Sequence, residues 1–117
     1  MNDGFGTALR EYRRMAGISQ RELAKRTGLD FSYISKIENE RIPPPAADTI
    51  VLICSVLGVR PEESLALTGK IPSSIQANVS SSKAAQEFLH EAQILGLTDD
   101  DWQKMTHSMQ DLKRHRG

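Results

Sequence analysis

The segment Ser19–Arg41, SQRELAKRTGLDFSYISKIENER, decides how the rest of the chain is read. Ser19 with Glu22 three residues later forms a capping box, in which hydroxyl and carboxylate satisfy N–H groups left open at a helix start. Leu23 and Ala24 are the inward residues of that helix, and Gly28 stands where the chain must reverse through positive φ. Asp30 is placed to cap a second helix over FSYISKIEN, whose Ile34 and Ile37 fall three residues apart on one face. Between them Ser35 and Lys36 point outward.

Ala24 and Gly28 are small for a steric reason. Two short helices crossing at roughly 90–120° bring their backbones close, which excludes bulk at the crossing and the corner. The joint spacing of Leu23, Ala24, Gly28, Leu29, Ile34 and Ile37 therefore predicts a helix-turn-helix.

The chain resembles the Xre, or phage-repressor-like (lambda-repressor-like), helix-turn-helix family. The residues that carry the likeness are Gly17-Ile18-Ser19-Gln20, Leu23-Ala24, Gly28, Tyr33-Ile34-Ser35-Lys36-Ile37-Glu38-Asn39 and Leu57-Gly58-Val59. It covers about residues 5–70. The resemblance implies an all-α, five-helix repressor-like DNA-binding domain and a sequence-specific transcriptional regulator, a repressor, with helix 30–39 in the major groove of double-stranded operator DNA.

Composition agrees with such a head and narrows the rest. With 117 residues and aromatics at 5%, the chain can bury a modest, aliphatic core. The formal net charge is zero, so bulk charge does not argue for nucleic acid, but its distribution does. Residues 1–44 carry eight Lys/Arg against six Asp/Glu, whereas residues 45–103 carry three against eight. Basic groups gather around the helix-turn-helix, as an oriented DNA binder requires. The lone Cys54 excludes an internal disulfide and lies in an apolar run, where a buried, inert thiol is expected. No signal peptide or membrane-length apolar run appears, so a cytoplasmic protein without a membrane partner is expected.

In chain order, Phe5, Ala8, Leu9, Tyr12 and Met15 or Ala16 recur at helical steps and Gly17 stops them. The stiff Ile42-Pro43-Pro44-Pro45 connector leads to a fourth helix at about 46–57, with Ile50, Ile53, Val56 and Leu57 inward. Pro61 opens a fifth helix, with Leu65, Ala66 and Leu67 inward and Gly69 at its end. The expected domains are thus a DNA-binding domain over 1–70, a Ser-rich linker over 71–82 and a helical hairpin over 83–114. The hairpin pairs a helix over about 83–95 with one that starts at a Thr98–Asp101 capping box. Each helix has one apolar stripe that it cannot bury alone. It is read as the homodimerisation element, since such readers use two recognition helices about 34 Å apart; covering the core is the alternative.

Exposed positions on the second helix assign base contacts to Phe31, Ser32, Ser35 and Lys36. Lys36 can donate to guanine O6 and N7, and the serines can bond to bases or phosphate. Phe31 either meets a thymine methyl or packs on the neighbouring loop. Asp30 is a cap or, alternatively, a cytosine reader. Phosphate contacts are assigned to Gln20, Asn39 and Arg41; in the resembled family a glutamine at the position of Gln20 also braces the recognition helix. Arg10 and Arg14 are weaker candidates. Arg13 lies beside the apolar face, so Glu38 is its expected partner in a structural brace, a bridge that the resemblance also implies. The family commonly has Glu-Asn-Gly where this chain has Glu38-Asn39-Glu40. A positive φ at Glu40 would cost about 1 kcal/mol relative to glycine.

No catalytic constellation is found, and no cofactor or metal site is expected. In His90-Glu91-Ala92-Gln93-Ile94, Ile94 occupies the place of the second histidine of a zinc-protease helix. Asp99-Asp100-Asp101 suits a helix start better than a metal. The rival reading is an antitoxin or protein-interaction adaptor, because the resemblance also implies partner proteins such as a toxin or a regulatory metallopeptidase.

Overall fold

A computed structural model describes residues 4–116, and among these every regular element is a helix. They run α1 Phe5–Ala16, α2 Gln20–Thr27, α3 Phe31–Glu38, α4 Ala47–Leu57, α5 Glu62–Thr68, α6 Ser73–Ser80, α7 Lys83–Leu95 and α8 Asp99–His115. The chain forms two compact units, one ending at Gln76 and one beginning at Ala77.

In the first unit, α1–α5 enclose one aliphatic core. Phe5, Leu9, Leu23, Ile34, Ile37, Ile50, Ile53, Cys54, Leu57 and Leu65 are all buried in it. Helix α3 is held from two sides, by α1 and by α2, and α2 also rests on α4. The Ser19 hydroxyl accepts from the Glu22 N–H at 3.0 Å, but the Glu22 carboxylate accepts from Arg26 at 2.8 Å, so half of the expected capping box forms; Gly28 closes α2 at φ 76°. The approach of α1 to the end of α3 is closer than any side chain permits: a Cβ at Gly6 would lie 2.2 Å from the Ile37 carbonyl oxygen. Three residues read as inward, Met15, Ala66 and Leu67, face out. Met15 is 77% exposed because α1 turns its last residues away from the core, and Leu67 is half-exposed beyond the last core contact of α5 at Leu65.

Residues 71–82, read above as a linker, contain the helix α6. Its first turn is fixed by a partner distant in sequence: the Ser73 N–H and hydroxyl donate to Asp48 at 2.9 and 2.6 Å. These bonds hold the Asp48 carboxyl below its ordinary range. The Pro72 carbonyl then accepts from the N–H groups of Ile75 and Gln76. None of its residues is buried, so no apolar period marks it in the sequence.

The second unit is a helical hairpin. The Ser82 hydroxyl caps α7 by accepting from the Ala85 N–H at 3.0 Å. At the start of α8, the Thr98 N–H donates to Asp101 at 3.0 Å and the Asp101 N–H donates back at 3.2 Å. Phe88 and Trp102 meet across the hairpin with ring centroids 6.5 Å apart. Neither helix buries a residue: Phe88 is 50% exposed, Leu95 76% and Leu112 66%. An open apolar groove of about 350 Å³ runs along Phe88, Ala92, Leu95, Leu97 and Met105.

Candidate nucleic-acid interface

Glu38, the last residue of α3, organises the site. Its side chain is fully buried beside α1, where a lone carboxylate would be costly. Arg13 supplies the compensation as a two-point clamp, with Nε to Oε2 at 2.7 Å and Nη2 to Oε1 at 3.0 Å. Gln20 Nε2 donates to Oε1 at 2.9 Å, and Arg10 Nε lies 3.5 Å from the same oxygen. Arg13 also donates to the Ile18 carbonyl at 3.0 Å, so one guanidinium ties α1, the turn before α2 and α3 together. Burial pushes the Glu38 carboxyl upward, but the bonds from Arg13, Gln20 and Arg10 outweigh it and leave the group below its ordinary range. Hydrogen bonding to Glu38 raises Arg13 against the opposing effect of burial.

The outer face of α3 carries Phe31, Ser32, Ser35 and Lys36, which helical periodicity places on one side. Lys36 is exposed in the last turn. Ser35 accepts from Asn39 Nδ2 at 3.5 Å. Asp30 sits at the N-cap position but makes no cap bond; its carboxylate accepts from the Ser32 hydroxyl at 2.9 Å instead. The expected cap is thus replaced by a side-chain pair two residues apart. Phe31 is 37% exposed, and its ring is covered by Arg21, whose Cζ lies 4.7 Å from the centroid.

Of the residues assigned to phosphate, Gln20 opens α2 with its amide nitrogen committed to Glu38. Asn39 accepts from Arg10 Nη2 at 2.9 Å through Oδ1. Arg41 is exposed, and its backbone N–H closes the end of α3 on the Lys36 carbonyl at 2.9 Å. Arg10, read as a weak candidate, is part of the brace: it also donates to the Glu38 carbonyl at 3.3 Å. Its spacing of one turn from Arg13 was the signal for this.

Glu40 is the non-glycine residue at positive φ among the described residues, at 57°. Its carboxylate accepts from the Thr7 N–H at 3.2 Å and the Thr7 hydroxyl at 3.5 Å, at the start of α1. That helix has no side-chain cap at Gly4 and no acid in its first turn. Glu40 therefore caps α1 from 33 residues away. Gly4 and Gly6 make room, since a Cβ at either would stand 2.9 Å from a Glu40 oxygen.

Chemistry of other kinds finds little here. Burial pushes the Cys54 thiol up, away from the reactive thiolate. Among the described residues no group of three or more His, Cys, Asp or Glu is placed to hold a metal ion, and no helix is long and apolar enough to cross a membrane.

Residues 9–64, covering the brace and the whole outer face of α3, match the family model described as helix-turn-helix. This part of the chain belongs to the helix-turn-helix family. Among curated proteins, an uncharacterised HTH-type transcriptional regulator, RghRB of Bacillus subtilis (strain 168), is 39% identical over 67 residues, which are 57% of this chain and 48% of that one. The chain thus spans about half the length of the curated relative it matches. A solved structure of SinR, the master regulator for biofilm formation, in complex with DNA is 32% identical with a TM-score of 0.49, covering 51% of this chain and 95% of that one. A chain of the SinR protein–SinI protein complex is 20% identical with a TM-score of 0.50, covering 93% of this chain and 97% of that one; that likeness is one of fold.

Proposed function

We propose that the chain is a sequence-specific regulator of transcription, a repressor, that inserts α3 into the major groove of operator DNA. One observation carries this reading: the exposed face of α3 is held rigid from behind by a buried carboxylate with Arg and Gln donors from two other elements. A fixed helix with a polar outer face is what base readout requires. Phe31, Ser32, Ser35 and Lys36 contact bases, while Gln20, Asn39 and Arg41 contact phosphates. Asn39 and Gln20 each keep part of an amide free for this after their bonds to the brace. In this reading a DNA-binding head over 1–70 is joined to a hairpin over 83–114 by residues 71–82, which contain α6.

The exposed apolar stripe of the hairpin is covered by a second copy, giving a homodimer in the cytoplasm whose two α3 helices meet successive grooves about 34 Å apart. A different protein on that stripe is the second reading, favoured by the same exposure of Phe88, Leu95 and Leu112. Light scattering on the full chain separates the two: twice the chain mass, reduced to the chain mass by Leu112→Asp, supports the homodimer, and the chain mass throughout refutes it.

Duplex selection from a randomised pool tests the DNA reading. Lys36→Ala is expected to relax preference at one base pair, at about 1–3 kcal/mol, whereas Arg41→Ala weakens all duplexes alike. Binding that does not weaken with salt would overturn the phosphate contacts.

A further inference from the structure

We propose that Arg21 and Phe31 form one base-reading pair for a thymine–guanine step, with Phe31 against the thymine methyl and Arg21 forked onto guanine O6 and N7. The inference rests on the DNA-reading role given above and adds to it a specificity residue from outside α3.

The arginines near α3 differ in what holds them. Arg10 and Arg13 are spent on Glu38, and Arg26 is tied to Glu22 within α2 at 2.8 Å. Arg21 has no carboxylate partner among the described residues. Its guanidinium is instead seated on the Phe31 ring at 4.7 Å, within the range of a cation–π contact. This mode of holding has a chemical consequence. A cation–π contact uses none of the guanidinium's N–H donors, which stay free. An arginine held by an acid has donors committed to it, whereas Arg21 on the Phe31 ring keeps all of its N–H donors free.

Phe31 is correspondingly half-used. It opens α3, the end at which a recognition helix meets base edges, and it remains 37% exposed although Arg21 covers one face. The unused ring surface is apolar, and the thymine C5-methyl is the apolar feature that the major groove presents. The donor fork beside it matches guanine, whose O6 and N7 are both acceptors on that edge. Because fork and ring are in contact, the two bases they read are neighbours. Ser32 lies next to the pair, and Lys36 is more than a turn further along the helix, free to read a separate position.

The test uses the full chain and a pool of duplexes with a randomised core. The wild type is expected to enrich duplexes with a thymine next to a guanine. Replacing that guanine by 7-deazaguanine, which lacks the N7 acceptor, lowers wild-type affinity about 10-fold. Replacing the thymine by uracil, which lacks the methyl, lowers it about 4-fold. With Arg21→Ala the donors are lost, so the 7-deazaguanine penalty disappears. With Phe31→Ala the uracil penalty disappears. The base analogues act on the unaltered protein, so no folding defect can imitate them. If Arg21→Ala keeps the 7-deazaguanine penalty, or weakens every duplex alike, Arg21 is a phosphate contact and the pair is refuted. If the wild type enriches no duplex at all, the DNA-reading role itself falls, and the pair with it.

Discussion

Glu40 sets two opposed effects against each other, and a series of substitutions there separates them. Its φ of 57° puts a side-chain-bearing residue in the left-handed region, at about 1 kcal/mol relative to glycine. Its carboxylate caps α1 through the Thr7 N–H and hydroxyl, and a cap of this kind contributes about 1 kcal/mol. Glu40→Gly removes both effects, so the first unit should keep its stability within about 0.5 kcal/mol. Glu40→Ala removes the cap and keeps the strain, so it should lose about 1 kcal/mol. Glu40→Gln keeps an acceptor but no charge for the helix dipole, which places it between the two, lower than wild type by about 0.5 kcal/mol. Urea unfolding followed by the amide resonances of Leu23, Ile34 and Ile37 measures this, because those residues are buried in the first unit and do not report on the hairpin. The Thr7 amide resonance should move in the Ala and Gly variants alike. A Glu40→Gly protein more stable than wild type by 1 kcal/mol or more would show that the carboxylate contributes nothing and would refute the cap.

The remaining expectations concern the brace beneath α3. Glu38→Ala leaves the partly buried Arg13 without its partner and should cost about 3 kcal/mol in the same urea experiment, whereas Arg13→Met with Glu38→Leu should be close to neutral; a cost below 1 kcal/mol for the single change would show that the bridge is idle. Acid should unfold the first unit partly through Glu38: its folded value is lowered, so its contribution is complete above the unfolded value of about 4.3 and is lost as pH falls through the folded one. Glu22 and Asp48 are lowered as well, so the Glu38 share is read as the part of the pH profile below about 4.3 that Glu38→Gln removes. Gly6→Ala drives a methyl to 2.2 Å from the Ile37 carbonyl and should cost about 1–3 kcal/mol; unchanged stability would mean that α1 and α3 are not in backbone contact.

What the sequence made legible and what it hid follow from the range of the forces involved. The α2–turn–α3 unit is readable because its cap, its corner and its two isoleucines act within a few residues of one another. The same holds for α7 and α8, whose caps are Ser82 and the Thr98–Asp101 pair. Helix α6 is hidden because its first turn depends on Asp48, 25 residues away. The Arg21–Phe31 stack is hidden because it depends on the angle between two helices and not on either one. The exit of Met15 from the core is a matter of where α1 runs out of neighbours, which periodicity does not encode.

Glu40 shows how such a long-range term can be misjudged from a local pattern. By position it is a departure, a charged residue where the resembled family has glycine, and its expected effect is strain. In place, the carboxylate is turned back toward Thr7 and the start of α1. The same two-residue stretch, Asn39-Glu40, then has both side chains bonded to α1, Asn39 through Arg10 and Glu40 through Thr7. Together with the clamp of Arg13 on Glu38, this makes three consecutive residues at the end of α3 that each bond to α1. The C-terminal end of α3, the proposed reading helix, is thus tied to α1 at three residues, away from Phe31 and Ser32. A substitution at residues 38–40 should alter how tightly α3 is held without changing which bases its outer face prefers.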